Sequence, residues 1–201
     1  MDTLSPYDFI IFDLDGTLYD EQLYLNAAYK TIAAYLSERH HLDMTELEDF
    51  LISGFESGGR SGLFDRLCSR FEIPESEISD MLILMRTVDV DGTLDLYPQM
   101  QELLRSLIAA HKPVFIITNG TAEQQQNKVK SINWQGLDQH IEIVFANTIQ
   151  PKPDRAAFDY LVEKFNLVPN KTVFIGDTQT DIDFAKNAGI DFIHAHDILG
   201  I

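Results

Sequence analysis

A chain of 201 residues with 45% hydrophobic side chains can bury one sizeable core, or a core with a smaller insert. Its 32 acids against 15 bases leave a formal charge of −17, which repels nucleic acid and anionic membranes and argues against both as partners. No apolar run reaches the ~18 residues of a membrane-spanning helix, the N-terminus MDTLSPYDF lacks the basic-then-apolar order of a signal peptide, and the single cysteine, Cys68, excludes an intrachain disulfide and fits a reducing cytoplasm.

The first predicted element is FIIFDL (9–14), a short apolar run that barely alternates, as a strand covered on both faces does. Residues 20–92 then change period. Leu25, Ala28, Ile32 and Tyr35 keep helical spacing, as do Leu47, Phe50, Leu51 and Phe55, then Leu63, Leu67 and Phe71, then Ile78, Met81, Leu82 and Met85. Pro74 and the acids after it suit a helix start. This stretch reads as a small all-helical domain inserted after the first strand.

Beyond it strands and helices alternate. QMQELLRSLIAAH precedes the strand PVFIIT (113–118), AEQQQNKVKSI follows, and then come EIVFAN (142–147), DRAAFDYLVEKFNL, TVFIGD (172–177), DIDFAKNAG with Gly189 as C-cap, and DFIHAH (191–196). Such alternation predicts an α/β fold: a doubly wound parallel sheet with a Rossmann-like three-layer core, from residues 1–19 and 93–201, and a helical domain over 20–92.

In such sheets, ligands bind outside the carboxyl ends of the strands. Those ends carry Asp13 and Asp15, then Thr118 and Asn119, then Lys152, then Asp177 with Asp181 behind it. Asp13 and Asp15 stand ~6.6 Å apart along a strand and point the same way, with Asp177 expected to converge on them. Carboxylates brought together repel unless a cation sits among them, and an oxygen-only donor set favours Mg²⁺ over zinc. Taken singly, each Asp is more readily a turn former or helix N-cap; it is their standing together at four successive strand ends that argues otherwise. Lys152 lies between prolines in PKP, where Pro153 holds it extended and can open the next helix. Thr118 and Asn119 precede Gly120 and a helix start, where backbone N–H groups favour an anion.

DLDGT, TNG, PKP and GDTQTD resemble, in order, the four signature segments of the haloacid dehalogenase-like hydrolases, and the helical insert resembles that family's cap. The resemblance implies Asp13 as nucleophile forming an aspartyl-phosphate and Asp15 as general acid, then base. It implies Thr118 on the transferring phosphoryl group with Asn119 and Gly120 beside it, and Lys152 between nucleophile and phosphate. Mg²⁺ would be held by Asp13, Asp177 and the Asp15 carbonyl, with Asp181 orienting that shell.

Within the family, Asp15 disfavours dehalogenation, since a halide leaves without a proton. Leu25, twelve residues after Asp13, stands where mutase-type members carry histidine, so a sugar-phosphate mutase remains the alternative to a phosphatase. A receiver domain places its acids before the acceptor, and a non-catalytic binding protein usually loses a motif residue. The expected substrate is a small phosphorylated metabolite: a sugar phosphate, a nucleotide or a carboxylated phosphoester. Arg60 in GFESGGRSG (54–62) is either a clamp on an anionic leaving group or a surface arginine in a turn. A monomer or weak homodimer is expected.

One echo needs placing. DVDGTL (89–94) nearly repeats DLDGTL (13–18), but it follows the helical pattern MLILMRTV and precedes Pro98, which opens a helix. It reads as a hinge where the chain returns to the sheet, with the single site on the first string.

Overall fold

The computed structural model describes residues 2–90 and 94–200. The chain divides into two compact units, one formed by Met1–Glu21 with Leu94–Ile201 and one by Gln22–Thr93.

The first unit begins with β1 (Phe9–Phe12). It resumes with β2 (Leu94–Asp95), α5 (Pro98–Ala109), β3 (Val114–Thr118), α6 (Ala122–Ser131), β4 (Ile132–Asn133) and β5 (Ile141–Phe145). It ends with α7 (Ala156–Phe165), β6 (Thr172–Gly176), α8 (Gln179–Ala188), β7 (Asp191–His194) and α9 (Ala195–Leu199). The second unit carries α1 (Glu21–His40), α2 (Met44–Gly58), α3 (Leu63–Phe71) and α4 (Ile78–Thr87).

Five strands form a sheet in the order β5-β3-β1-β6-β7, every pair parallel. The chain steps outward from β1 to β3 to β5, then crosses back to β6 on the other side of β1. That reversal puts a topological switch between β1 and β6, the place where sheets of this kind bind ligands outside their carboxyl ends. Ile11, Phe115, Ile117 and Phe174 face one way and pack with Phe158 and Leu161 of α7 and Phe184 of α8. The alternate positions Ile10, Phe12, Ile116 and Ile175 are equally buried, so both faces of the sheet are covered.

Pro98 stands in the first turn of α5, where its missing N–H costs nothing. Gly189 caps α8 in the left-handed conformation, φ 70°. Pro153 does not open α7: the helix starts at Ala156, whose N–H is accepted by Asp154 Oδ1 at 2.8 Å, and residues 152–155 form turns after a cis Lys152–Pro153 peptide. The parallel pair β2–β4 was not legible in the sequence, because two residues per strand are too few to show a period.

In the helical unit Leu25, Ala28, Ile32, Leu47, Leu51, Leu63, Leu67, Met81 and Met85 are buried. Leu82 keeps the helical spacing but lies on the solvent side of α4 at 40% exposure. The unit is also stapled by polar contacts. Tyr24 Oη donates to the Met85 carbonyl at 2.8 Å, and Tyr35 Oη donates to Glu77 at 2.7 Å and to Asp80 at 2.9 Å. Of the echo string, Asp89 is exposed and Val90 half-buried, Asp91–Thr93 lie outside the described residues, and Leu94 enters β2.

Candidate active site

Asp13 follows β1 directly, and its N–H still donates to the Ile175 carbonyl at 2.8 Å, so its backbone is locked to β6. Asp13 is buried, and its carboxylate accepts from Lys152 Nζ at 2.6 Å. The same Nζ donates to Asp181 Oδ1 at 2.6 Å, so one buried ammonium spans two carboxylates from different elements. Asp181 is itself the third residue of a capping box. Its Oδ2 accepts the Thr178 N–H at 3.1 Å and the Thr178 hydroxyl at 2.6 Å. Asp177 leaves the end of β6 and accepts from the Thr17 hydroxyl at 2.9 Å.

Two glycines permit this crowding. Gly16 has φ 70°, and a Cβ there would stand 2.5 Å from Asp177 Oδ2; a Cβ on Gly176 would stand 2.7 Å from Asp181 Cβ. Asp13, Asp177 and Asp181 then bring one carboxylate oxygen each within 4.8 Å of one another, the one such acidic group among the described residues.

The electrostatics follow from this packing. Burial pushes the Asp13 carboxyl up to about 7, against the pull of Lys152 and with the push of Asp181 and Asp15. Burial likewise raises Asp177 despite the Thr17 hydrogen bond. Burial would lower the Lys152 ammonium, but Asp13 and Asp181 outweigh it and hold it above the ordinary lysine range. Buried oxygens of this kind, short of positive charge, fit a hard divalent cation such as Mg²⁺.

Asp15 departs from its expected place. The strand ends at Phe12, so Asp15 lies on the turn beyond it, and its carboxylate faces a separate set of partners. Tyr19 Oη donates to Oδ1 at 2.6 Å; Gln125 Nε2 at 3.0 Å and Lys128 Nζ at 2.7 Å donate to Oδ2. Burial would raise the Asp15 carboxyl, but the Lys128 charge and these hydrogen bonds hold it below the usual carboxylate range. The carboxylates that converge are therefore Asp13, Asp177 and Asp181, and the Asp15 carboxylate is not among them.

Thr118 ends β3 beside β1 and is 1% exposed. The Asn119 side chain is engaged by the Lys152 backbone. Its Nδ2 donates to the Lys152 carbonyl at 2.9 Å and its Oδ1 accepts the Lys152 N–H at 2.8 Å, a two-point clamp on the backbone that presents the lysine. The Gly120 N–H is likewise engaged, donating to Asn147 Oδ1 at 3.0 Å. Arg60 lies in the connection between α2 and α3, with its guanidinium carbon 5.9 Å from the Phe55 ring centroid.

Sequence reasoning missed Tyr19, Gln125, Lys128 and Asn147. The signal for two of them was present: α6 is a flanking helix without an apolar stripe, and Gln125 and Lys128 share a face at i, i+3.

The profile of a family described as haloacid dehalogenase-like hydrolase matches residues 10–195. A phosphoglycolate phosphatase of Colwellia psychrerythraea is 27% identical over 202 residues, covering 94% of this chain and 84% of that protein. A phosphorylated carbohydrates phosphatase of Thermotoga maritima is 22% identical over 203 residues, covering 92% and 83%. Among solved structures, a predicted phosphoglycolate phosphatase from Haemophilus somnus superposes with a TM-score of 0.68 at 24% identity, covering 94% of this chain and 85% of that one.

Proposed function

The chain belongs to the haloacid dehalogenase-like hydrolases, and we propose that within them it is a Mg²⁺-dependent phosphatase acting on a small phosphate monoester through an aspartyl-phosphate. One observation carries the reading: a buried lysine bridges Asp13 and Asp181 beside Asp177, while a second acid, Asp15, stands two residues from Asp13 with its own donors.

In the proposed reaction an Asp13 carboxylate oxygen attacks phosphorus and the bond from phosphorus to the ester oxygen breaks. Asp15, having taken a proton from solvent, passes it to the departing alcohol. Asp15 then removes a proton from a water that attacks the aspartyl-phosphate, releasing inorganic phosphate and restoring Asp13. Lys152 offsets charge on nucleophile and phosphoryl oxygens, and Thr118 donates to the latter. Asp13, Asp177 and the Asp15 carbonyl would hold Mg²⁺, with Asp181 orienting the donors; the ion would supply charge neutralisation at the phosphoryl group. Asn119 acts at one remove, by fixing the Lys152 backbone.

Leu25 is 1% exposed and apolar, so it offers no proton chemistry in place of a histidine, which favours phosphatase over mutase. The relatives' names make phosphoglycolate and sugar phosphates the first esters to assay. We assign the protein a small-metabolite substrate rather than nucleic acid or a membrane, on its −17 charge, and place it in the cytoplasm as a monomer or weak homodimer. No described helix is long and apolar enough to cross a membrane.

Release of p-nitrophenol from p-nitrophenyl phosphate should require Mg²⁺ and stop in EDTA; full turnover in chelator sinks the reading. Arg60 is retained as a clamp on a second anionic group of the substrate. Arg60→Ala should raise KM for an ester carrying such a group and spare p-nitrophenyl phosphate; equal losses on both reject that role.

A further inference from the structure

The proposed chemistry uses one buried lysine and leaves another unexplained. Lys128 of α6 is 0% exposed. Its Nζ donates to Asp15 Oδ2 and to Glu21 Oε1, both at 2.7 Å. Taking an ammonium wholly out of water costs several kcal/mol unless its partners are well placed. A helix that merely covered the sheet would put leucine or alanine there.

The surroundings indicate what the lysine is placed for. Gln125, 2% exposed and three residues earlier on the same face, donates Nε2 to the same Asp15 oxygen at 3.0 Å and to the Asn119 carbonyl at 2.5 Å. Its Oε1 is buried without a hydrogen-bond partner, an arrangement that favours the donor end over full satisfaction of the amide. A Cβ on Gly120 would stand 2.6 Å from Gln125 Nε2, so the TNG turn is shaped to admit this amide. Tyr19, also 0% exposed, closes the other Asp15 oxygen with its hydroxyl at 2.6 Å. Three side chains from two elements thus fix both oxygens of one carboxylate.

We propose that Lys128, with Gln125 and Tyr19, is a positioning residue for Asp15: it fixes the carboxylate that serves the leaving oxygen and then the attacking water, as Lys152 serves Asp13 and the phosphoryl group. The inference rests on the phosphatase reading. It assigns the two buried lysines to the two halves of the reaction, one at the bond-forming oxygen and one at the proton.

The test uses Lys128→Met, which keeps an unbranched side chain and removes the charge. Single-turnover release of p-nitrophenolate reports attack on phosphorus with a leaving group that needs no proton. Steady-state kcat on an alkyl phosphate needs that proton. With Mg²⁺ present, the alkyl-phosphate kcat should fall on the order of a hundredfold and the p-nitrophenolate step far less, with KM little changed. Lys128→Arg should recover part of the loss, and a crystal structure of Lys128→Met should find Asp15 displaced from Tyr19 and Gln125. Because Lys128→Met leaves Asp15 and Glu21 without their shared cation, Lys128→Met/Glu21→Gln removes the excess charge and keeps the comparison possible where the single variant does not fold. Equal losses on both esters, or a lowered Tm with both rates retained, overturn the inference and leave Lys128 a structural staple. A wild-type protein inactive on every ester overturns the phosphatase reading and the inference with it. An active wild type whose rates ignore Lys128 overturns the inference alone.

Discussion

Asp13 shows how burial sets the behaviour of one residue. Its carboxyl, pushed up to about 7 from an ordinary 3.8, binds a proton more tightly folded than unfolded. Between those values the folded state holds more protons, so this residue's contribution to stability falls as pH rises from 4 to 7. Asp177 shifts in the same direction. In EDTA the wild type should therefore lose Tm over this range by more than Asp13→Asn does, at about 2–4 °C for each kcal/mol in a domain of this size. Mg²⁺ should restore Tm most at the alkaline end; a wild type and an Asp13→Asn variant with parallel Tm profiles contradict the account. Asn119 makes a different prediction. Asn119→Ala removes both bonds to the Lys152 backbone and leaves a buried N–H and carbonyl unpaired, costing about 1–3 kcal/mol each way of counting. The kcat should fall through a displaced Lys152 while KM for phosphate esters changes less, since the bonds lost are to the Lys152 backbone.

At the scale of elements, the site depends on turns more than on strands. The strand–turn at Asp13–Thr17 works because Gly16 takes φ 70° against Asp177. Gly16→Ala adds left-handed strain of about 1–2 kcal/mol and drives a methyl to 2.5 Å from the Asp177 carboxylate. The expected result is a rise in the Mg²⁺ concentration needed for half-maximal activity, larger than the loss of Tm would suggest. Unchanged Mg²⁺ dependence would show that Asp177 can move aside freely. Helix α6 is the other decisive element. It buries Gln125 and Lys128 where a helix ordinarily buries leucine, because the end of β1 beside it presents an acid that needs donors.

For the whole molecule, the question is whether the two Asp-Gly strings make two sites. Thr118, Lys152, Asp177 and Asp181 belong to the same compact unit as Asp13, and Asp89 is exposed in the other. Asp13→Asn should remove essentially all turnover, while Asp89→Asn and Asp91→Asn should retain the chemistry. Trapping with beryllofluoride and solving the structure should place the adduct on Asp13. An adduct on Asp89 or Asp91, or a loss in Asp91→Asn as deep as in Asp13→Asn with the fold intact, rejects a single site.

The linear order of residues was enough to read five of the strands and the helices between them, because apolar strands covered on both faces and helical periodicity are local patterns. The same order showed which polar groups stand at strand ends, since a strand's end is a local fact. It could not show which carboxylates meet. Asp13 and Asp15 are two residues apart, yet β1 ends before either, and the turn at Gly16 sends them to different lysines. Asp181, read as an outer partner, joins the oxygen cluster because its capping box turns it back toward Lys152. Nor could it show that Lys128 is buried, because a lysine on a helix is ordinarily solvated, and only its tertiary seat against Asp15 and Glu21 puts the charge where water cannot reach it. Local pattern determined the elements and the chemistry available at their ends. The placing of β3 and β6 on either side of β1, which sets residues more than 100 positions apart within hydrogen-bond distance, decided which of those groups act together.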